Sequence, residues 1–506
     1  MKKTIIWLTV LLFTVGIRAQ QNEVLYQVSQ RSFFDSNGDG NGDLRGMQQK
    51  LDYLQNMGVT TLLLAPLYHS DFYNNYSDAK PAAIDPLYGE FKEYRELVVE
   101  VHRRKMKIYQ DVELLYVTDT HPWFKESYKN PSSKYSSYLY YNDKKNEKPN
   151  YIGAAKSQWV MVNVKETQVK AYINKVLKFW MDPNGDGAFN DGTDGFRLGS
   201  MADTAGHKNL LRDFWNPLIA DLKKVNPLLQ IVAGPSDTNS YGFDYFTKAN
   251  VDKIFALKMR EAIAAFDKNK IAHAADSTFI NLPNSPQPLM LLENSVVGRL
   301  ASVQDINPGK LRVAAALTLL IGGMPSIYYG QELGMKGTQP RLIKGVNNMP
   351  LQEAFEWYAA EEGPGMALWY KGTGQAWDNR SLRANDGISL EEEQKDPKSL
   401  HNFYRQLLKL RKTHSPLSAG TYKETPNSSD KVFSFIRTAG RDKALIVINL
   451  SGTEQHTLLE DNTLKLNIAK LIFGDVSGNF SAGGRGIMMP PYGVQVWRFP
   501  PAGPAE

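Results

Sequence analysis

The sequence predicts an α/β protein: a closed (β/α)8 barrel, a small subdomain inserted after the third strand, and a C-terminal antiparallel β domain. Three observations predict it. Short apolar runs alternate with amphipathic helical patterns from Glu23 to about residue 413, the mark of repeated strand–helix units. Eight such runs can be read, the number that closes a barrel of this kind. Beyond Ala419 the texture changes to strands of alternating polarity with no helical pattern between them.

The expected barrel strands are Val24–Gln27, Thr60–Ala65, Ile108–Leu114, Gly195–Leu198, Gln230–Ala233, Lys253–Ala256, Arg299–Val303 and Ser326–Tyr329. Helical stretches lie between them, among them Leu44–Met57, Phe91–Arg104 and Gln168–Trp180. A Tyr- and Lys-rich segment, residues 117–163, interrupts the third unit as an inserted subdomain. A second insertion, about Lys336–Asp396, follows the eighth strand. The basic, Leu-rich helix Leu400–His414 then closes a barrel domain of residues 20–413. Val432–Arg437, Ala444–Asn449 and Val494–Phe499 are strands of a β domain over residues 419–499, and residues 500–506 form a tail.

The chain has 506 residues, 42% of them hydrophobic and 22% charged, which suits a large globular core. Lys2-Lys3, the apolar run Ile5–Val15 and Ile17-Arg18-Ala19 read as a secretory signal peptide, residues 1–19. Its apolar core is shorter than the roughly 18–20 residues of a membrane span, and so is the later run Val313–Ile321. With no Cys there is neither a disulfide nor a lipid-attachment thiol. The net charge is +6, and three of the cations (Lys2, Lys3 and Arg18) sit in the leader, which leaves +3. That is too weak and dispersed for nucleic acid or an anionic membrane. The expectation is a secreted or periplasmic protein without a membrane span.

One stretch carries the functional reading. Asp194-Gly195-Phe196-Arg197-Leu198-Gly199 closely resembles the G-F-R-x-D strand of the α-amylase family, glycoside hydrolase family 13. The likeness extends along the chain, through Tyr26-Gln27-Val28, Arg31-Ser32-Phe33, Lys50–Leu54, Gly323–Met335, Glu356-Trp357-Tyr358 and Asn385–Ser389. The chain resembles secreted α-amylase, neopullulanase and oligo-1,6-glucosidase-like members. The resemblance implies an α-glucan-active barrel with its site at the C-terminal strand ends. It also implies that the acids have been lost, because the nucleophilic Asp is replaced by Gly199 and the acid Glu by Pro235.

Retaining glycosidases need two carboxyl groups about 5 Å apart. The first family segment, D-x-x-x-N-H, reads Asp111-Val112-Glu113-Leu114-Leu115-Tyr116, and the second-strand Y-D reads Tyr76-Ser77. The seventh-strand N-H-D is read as Val303-Gln304-Asp305. Tyr76, Arg197 and Asp305 are then the survivors of the sugar-distorting subsite. An unpaired Arg197 in the mouth would be costly, so it is expected to pair with Asp305 or Glu332. Asp203 and Asp237 are the weighed replacements for the lost acids, Asp203 being out of register and Asp237 lying beyond a strand-ending proline.

Asp35, Asn37, Asp39, Asn41 and Asp43 offer oxygen ligands at alternate positions, as a hard cation such as Ca²⁺ requires, and coincide with the family's metal loop. Asp182, Asn184, Asp186 and Asp191 repeat the spacing, against the alternative of a simple Gly/Asn turn. Tyr135, Tyr138, Tyr140, Tyr141, Trp159, Trp357, Trp369 and Tyr370 lie in the insertions, where one or two would meet a sugar and most would pack. Three functions stay open: a glucan-binding pseudoenzyme taking an α-glucan or maltooligosaccharide, a non-catalytic scaffold for a protein partner, and a hydrolase with relocated acids.

Overall fold

The computed structural model describes residues 22–69, 80–151, 159–202, 208–234, 241–279, 287–338, 349–474 and 483–500. Eight parallel strands close into a barrel: β1 Leu25–Val28, β2 Thr61–Leu64, β3 Lys107–Val112, β4 Gly195–Leu198, β5 Gln230–Ala233, β6 Lys253–Phe255, β7 Gln287–Met290 and β8 Met324–Tyr328. Each pairs with its sequence neighbours, and β8 pairs back to β1 through Leu25 and Ser326. Leu25, Leu63, Tyr109, Val232, Phe255, Leu289 and Met324 fill the interior, so the barrel is a packed core and no pore. At its N-terminal end the ammonium of Lys253, fully buried, bonds Gln230 and lies 3.5 Å from Glu23.

Seven of the expected strands lie within a few residues of those observed. The seventh does not: Arg299–Val303 is a 3-10 turn at Leu300–Ser302, and the strand is Gln287–Met290. Pro288 sits inside it, opposite Ile254, and a proline argues against a central strand when only the sequence is read. Only Arg299, Leu300 and Ala301 of the run at 299–303 are buried. The Arg299 guanidinium donates to the Tyr329 and Leu351 carbonyls and pairs with Glu293 at 3.3 Å. The expected helix Leu44–Met57 is also two helices, Leu44–Gln49 and Leu51–Met57. They break at Lys50, whose ammonium lies over the Phe34 and Trp357 rings.

Within the insertion, Tyr116–Thr118 pairs antiparallel with Trp159–Met161 against the barrel top. The C-terminal sheet contains β9 Thr421–Glu424, β10 Val432–Ala439, β11 Asp442–Asn449, β12 Lys470–Phe473 and β13 Val494–Phe499, in the order β9-β10-β11-β13-β12. Ala439 pairs with Asp442 across a two-residue turn, and Gly440 supplies its positive φ of 59°. Two buried arginines join sheet and barrel. Arg437 donates to the Leu320 and Gly420 carbonyls, and Arg411 to those of Leu319, Leu417 and Gly323. Burial pushes them down, Arg437 to about 9 and Arg411 to about 10. Among the described residues, no helix is long and apolar enough to cross a membrane.

Candidate functional site

The C-terminal ends of β3, β4 and β5 meet side by side, with Asp111 opposite Arg197 and Arg197 opposite Val232. Residues two apart in a strand share a face, so the register places Asp111 and Arg197 side by side at the strand ends. Arg197 Nη1 donates to both Asp111 oxygens, at 2.9 and 3.2 Å. This corrects the expected partners. Asp305 is exposed in a turn with φ 62°, where its carbonyl accepts from Lys310, and it forms no ion pair with Arg197. Glu332 is buried in the barrel wall, its Oε1 accepting from the Tyr26 and Tyr53 hydroxyls at 2.6 Å each. Burial raises its carboxyl above the ordinary range.

Asp305 was misplaced because its strand was misplaced. The true β7 leads through Leu291-Leu292-Glu293 into Asn294-Ser295-Val296, a tripeptide that shares only its Asn with N-H-D. Asn294 Oδ1 accepts from the Val296 and Val297 amides and builds a turn, while Val296 is 49% exposed. No carboxylate stands in that tripeptide.

The arginine lies flat on the next strand exit. A Cβ on Gly234 would come within 2.6–2.7 Å of three guanidinium atoms of Arg197, so only glycine permits this approach. At Gly199 the space for a side chain is also taken. A Cβ there would sit 2.3 Å from Glu113 Oε2. Glu113 is buried and tied on both oxygens: Oε1 accepts from the Leu114 and Leu115 amides at 3.0 and 3.1 Å, and Oε2 from Ser200 Oγ at 3.0 Å. The Tyr116 hydroxyl meets Ser200 Oγ at 2.5 Å, and its ring stacks on Trp159. Burial raises the Glu113 carboxyl, opposed by the Leu115 amide, the Tyr116 hydroxyl and the Arg197 charge.

The cavity bounded by Gln27, Ser29, Asp111, Ser295, Tyr328 and Gln352 holds about 30 Å³. That is well below the roughly 300 Å³ and more of ligand pockets. Sequence reasoning missed Glu113, although its parity with Asp111 on β3 was a readable signal. It also missed the buried Glu293–Arg299 pair, which no local pattern announces; burial pushes Glu293 up to about 7. Tyr76, Pro235, Asp203 and Asp237 lie outside the described residues.

The first acidic loop closes on itself. Asp35 accepts from the Asn37, Gly38 and Gly40 amides, Asn37 from Asp39, Asp39 from Asn41, and Asp43 from Ser36 and Gly46. Asn41 Oδ1 takes the Arg31 Nε. The donor set is all oxygen, as Ca²⁺ requires, but among the described residues no group of three acids gathers to hold an ion. In the second loop Asp182 accepts from Gly187, Asn184 from Asp186 and Asp186 from Ala188, while Asp191 pairs with Arg95 at 2.7 Å.

Most of the candidate aromatics pack. Trp357 lies among Phe33, Tyr53 and Phe355, Tyr370 is buried, and Tyr135 and Tyr138 lean on Trp123. Tyr141 bonds Ser127, and Tyr140 is partly buried. Trp159 and Trp369 are half-buried, with Arg31 stacked over Trp369.

The model of the α-amylase catalytic domain matches residues 27–209 and 235–420. The chain belongs to the α-amylase family. Alpha-amylase 3 of Dictyoglomus thermophilum is 27% identical to it over 472 residues, 88% of each chain. An oligo-1,6-glucosidase of Bacillus cereus is 23% identical over 516 residues, 86% of this chain and 91% of its own. The crystal structure of α-amylase from H. orenii matches this α-amylase-family chain with a TM-score of 0.78 at 22% identity, covering 94% of this chain and 99% of that one. At that identity the structural likeness speaks for the fold.

Proposed function

We propose that this α-amylase-family protein recognises α-glucans without hydrolysing them. The observation that carries the reading is Gly199 just past the end of β4, which supplies no side chain for one of the two carboxyl groups that retaining hydrolysis needs. The polar groups beside it are already committed. Asp111 serves Arg197, Glu113 serves two amides and a hydroxyl, and Gly199 offers no side chain. Removing members of a catalytic unit costs on the order of 10⁴–10⁶ in rate, which leaves no useful glycosidase. The names of the relatives, an alpha-amylase and an oligo-1,6-glucosidase, supply the ligand class. Export by way of residues 1–19 belongs to the same proposal, as does a structural Ca²⁺ at Asp35–Asp43, which rests on donor chemistry alone.

Calorimetry with maltoheptaose and with unrelated glycans, run beside a reducing-sugar assay, tests this reading. It expects heat with the α-glucan and no release of reducing ends. Absence of heat with every α-glucan would move the protein to the scaffold role with a protein partner. Sustained turnover by pure protein would restore the reading of relocated acids.

A further inference from the structure

The family acid is missing from β4, yet a carboxylate occupies its place. We propose that Glu113, entering from β3, has taken over the space of the β4 carboxylate, so that Glu113 and Gly199 form a compensated pair. The family acid then cannot be regained by changing residue 199 alone. This rests on the reading of the mouth given above and explains how it is held.

The geometry supplies the reason. Gly199 does not have the left-handed φ that demands glycine, so its backbone accepts a side chain. The Glu113 carboxyl stands in the way, its Oε2 2.3 Å and its Cδ 3.2 Å from where Cβ would be, with the Val112 carbonyl at a permitted 3.4 Å. The end of a Glu side chain moves aside cheaply when it is free. This one is held by the Leu114 and Leu115 amides on one oxygen and by Ser200 on the other. Ser200 adopts a positive φ of 49°, a conformation disfavoured for a residue with a Cβ. Its hydroxyl joins Glu113 to Tyr116, which stands at the position where the family carries its His. Glu113, Tyr116 and Gly199, which look unrelated in the sequence, therefore meet in one network. Loss of the acid and arrival of its replacement are a single structural change.

A stability cycle on the full chain tests the pairing. Gly199→Ala and Gly199→Asp are made in wild type and on a Glu113→Val background, and unfolding is followed thermally and in urea. In wild type Gly199→Ala is expected to lower Tm by several degrees and Gly199→Asp by more, since two carboxylates would then share one buried space. On the Glu113→Val background the same changes should leave Tm unchanged or raise it. If Gly199→Asp does not fold in wild type, the Gly199→Ala pair still reads the coupling, and a drop of equal size on both backgrounds overturns the inference. The cycle measures stability and not activity. Hydrolysis by the wild type would defeat the functional reading while leaving the coupling intact, whereas additive changes in an inactive protein would defeat only this inference.

Discussion

Gly234→Ala is the sharpest single perturbation of the mouth. The new methyl would lie within 2.6–2.7 Å of the Nη2, Cζ and Nε atoms of Arg197, well inside ordinary contact. The guanidinium must rise off β5, yet it is held at 2.9 and 3.2 Å by Asp111, and both side chains are largely buried. Overpacking of this kind costs about 1–3 kcal/mol. Loosening a charge-assisted hydrogen bond adds about 1.5–3 kcal/mol. The expected loss is therefore about 2.5–6 kcal/mol, read as a lower urea midpoint with an unchanged slope. The control is Arg197→Met, which removes the obstacle, and Gly234→Ala added to it should cost less than about 1 kcal/mol. A cost below about 0.5 kcal/mol in wild type, or an equal cost on both backgrounds, would refute the placement of Arg197 against Gly234.

Other outcomes follow from the same structure. Arg437→Met should cost about 3 kcal/mol in urea unfolding, because the Leu320 and Gly420 carbonyls lose a charged donor where the β domain meets the barrel; an unchanged midpoint would show that this stitch is dispensable. Burial, reinforced by Asp386 and Glu353, pushes Glu356 up to about 8 from 4.5. The native state thus keeps a proton that the unfolded chain has lost, and this group's stability, full below about pH 4.5, falls as pH rises towards 8. Glu356→Gln removes that loss, so the variant should gain on wild type between about pH 5 and pH 8 by an amount on the order of a few kcal/mol; parallel pH profiles would contradict it. For the Asp35–Asp43 loop, millimolar Ca²⁺ should raise Tm over EDTA and Asp39→Ala should abolish the rise, while equal Tm values would end the calcium proposal.

How much could be read before the structure depended on whether the signal was local. The alternation of strands and helices located seven strands, because buried parallel strands are apolar runs between punctuating loops. β7 was hidden by Pro288, and the nearby stretch that stood in for it is a turn around Arg299, whose partners lie at Glu293, Tyr329 and Leu351. Missing that strand carried Asp305 into the site and left Asn294-Ser295-Val296 unread. Gly199 was legible as a gap in a strong motif. What fills the gap was not, because Glu113 and Gly199 are far apart in the chain and meet only when β3 and β4 pair with Asp111 beside Arg197. The partner of Arg197 was a long-range choice of the same kind.

A covalent trap addresses the central claim most directly. A retaining glycosidase with a nucleophile is labelled by a 5-fluoro-α-glucosyl fluoride, which forms a glycosyl-enzyme that turns over slowly. The purified protein, incubated with this reagent and weighed intact by mass spectrometry, should keep its unmodified mass. A stoichiometric glycosyl adduct, mapped to any Asp or Glu at the barrel mouth, would contradict the account.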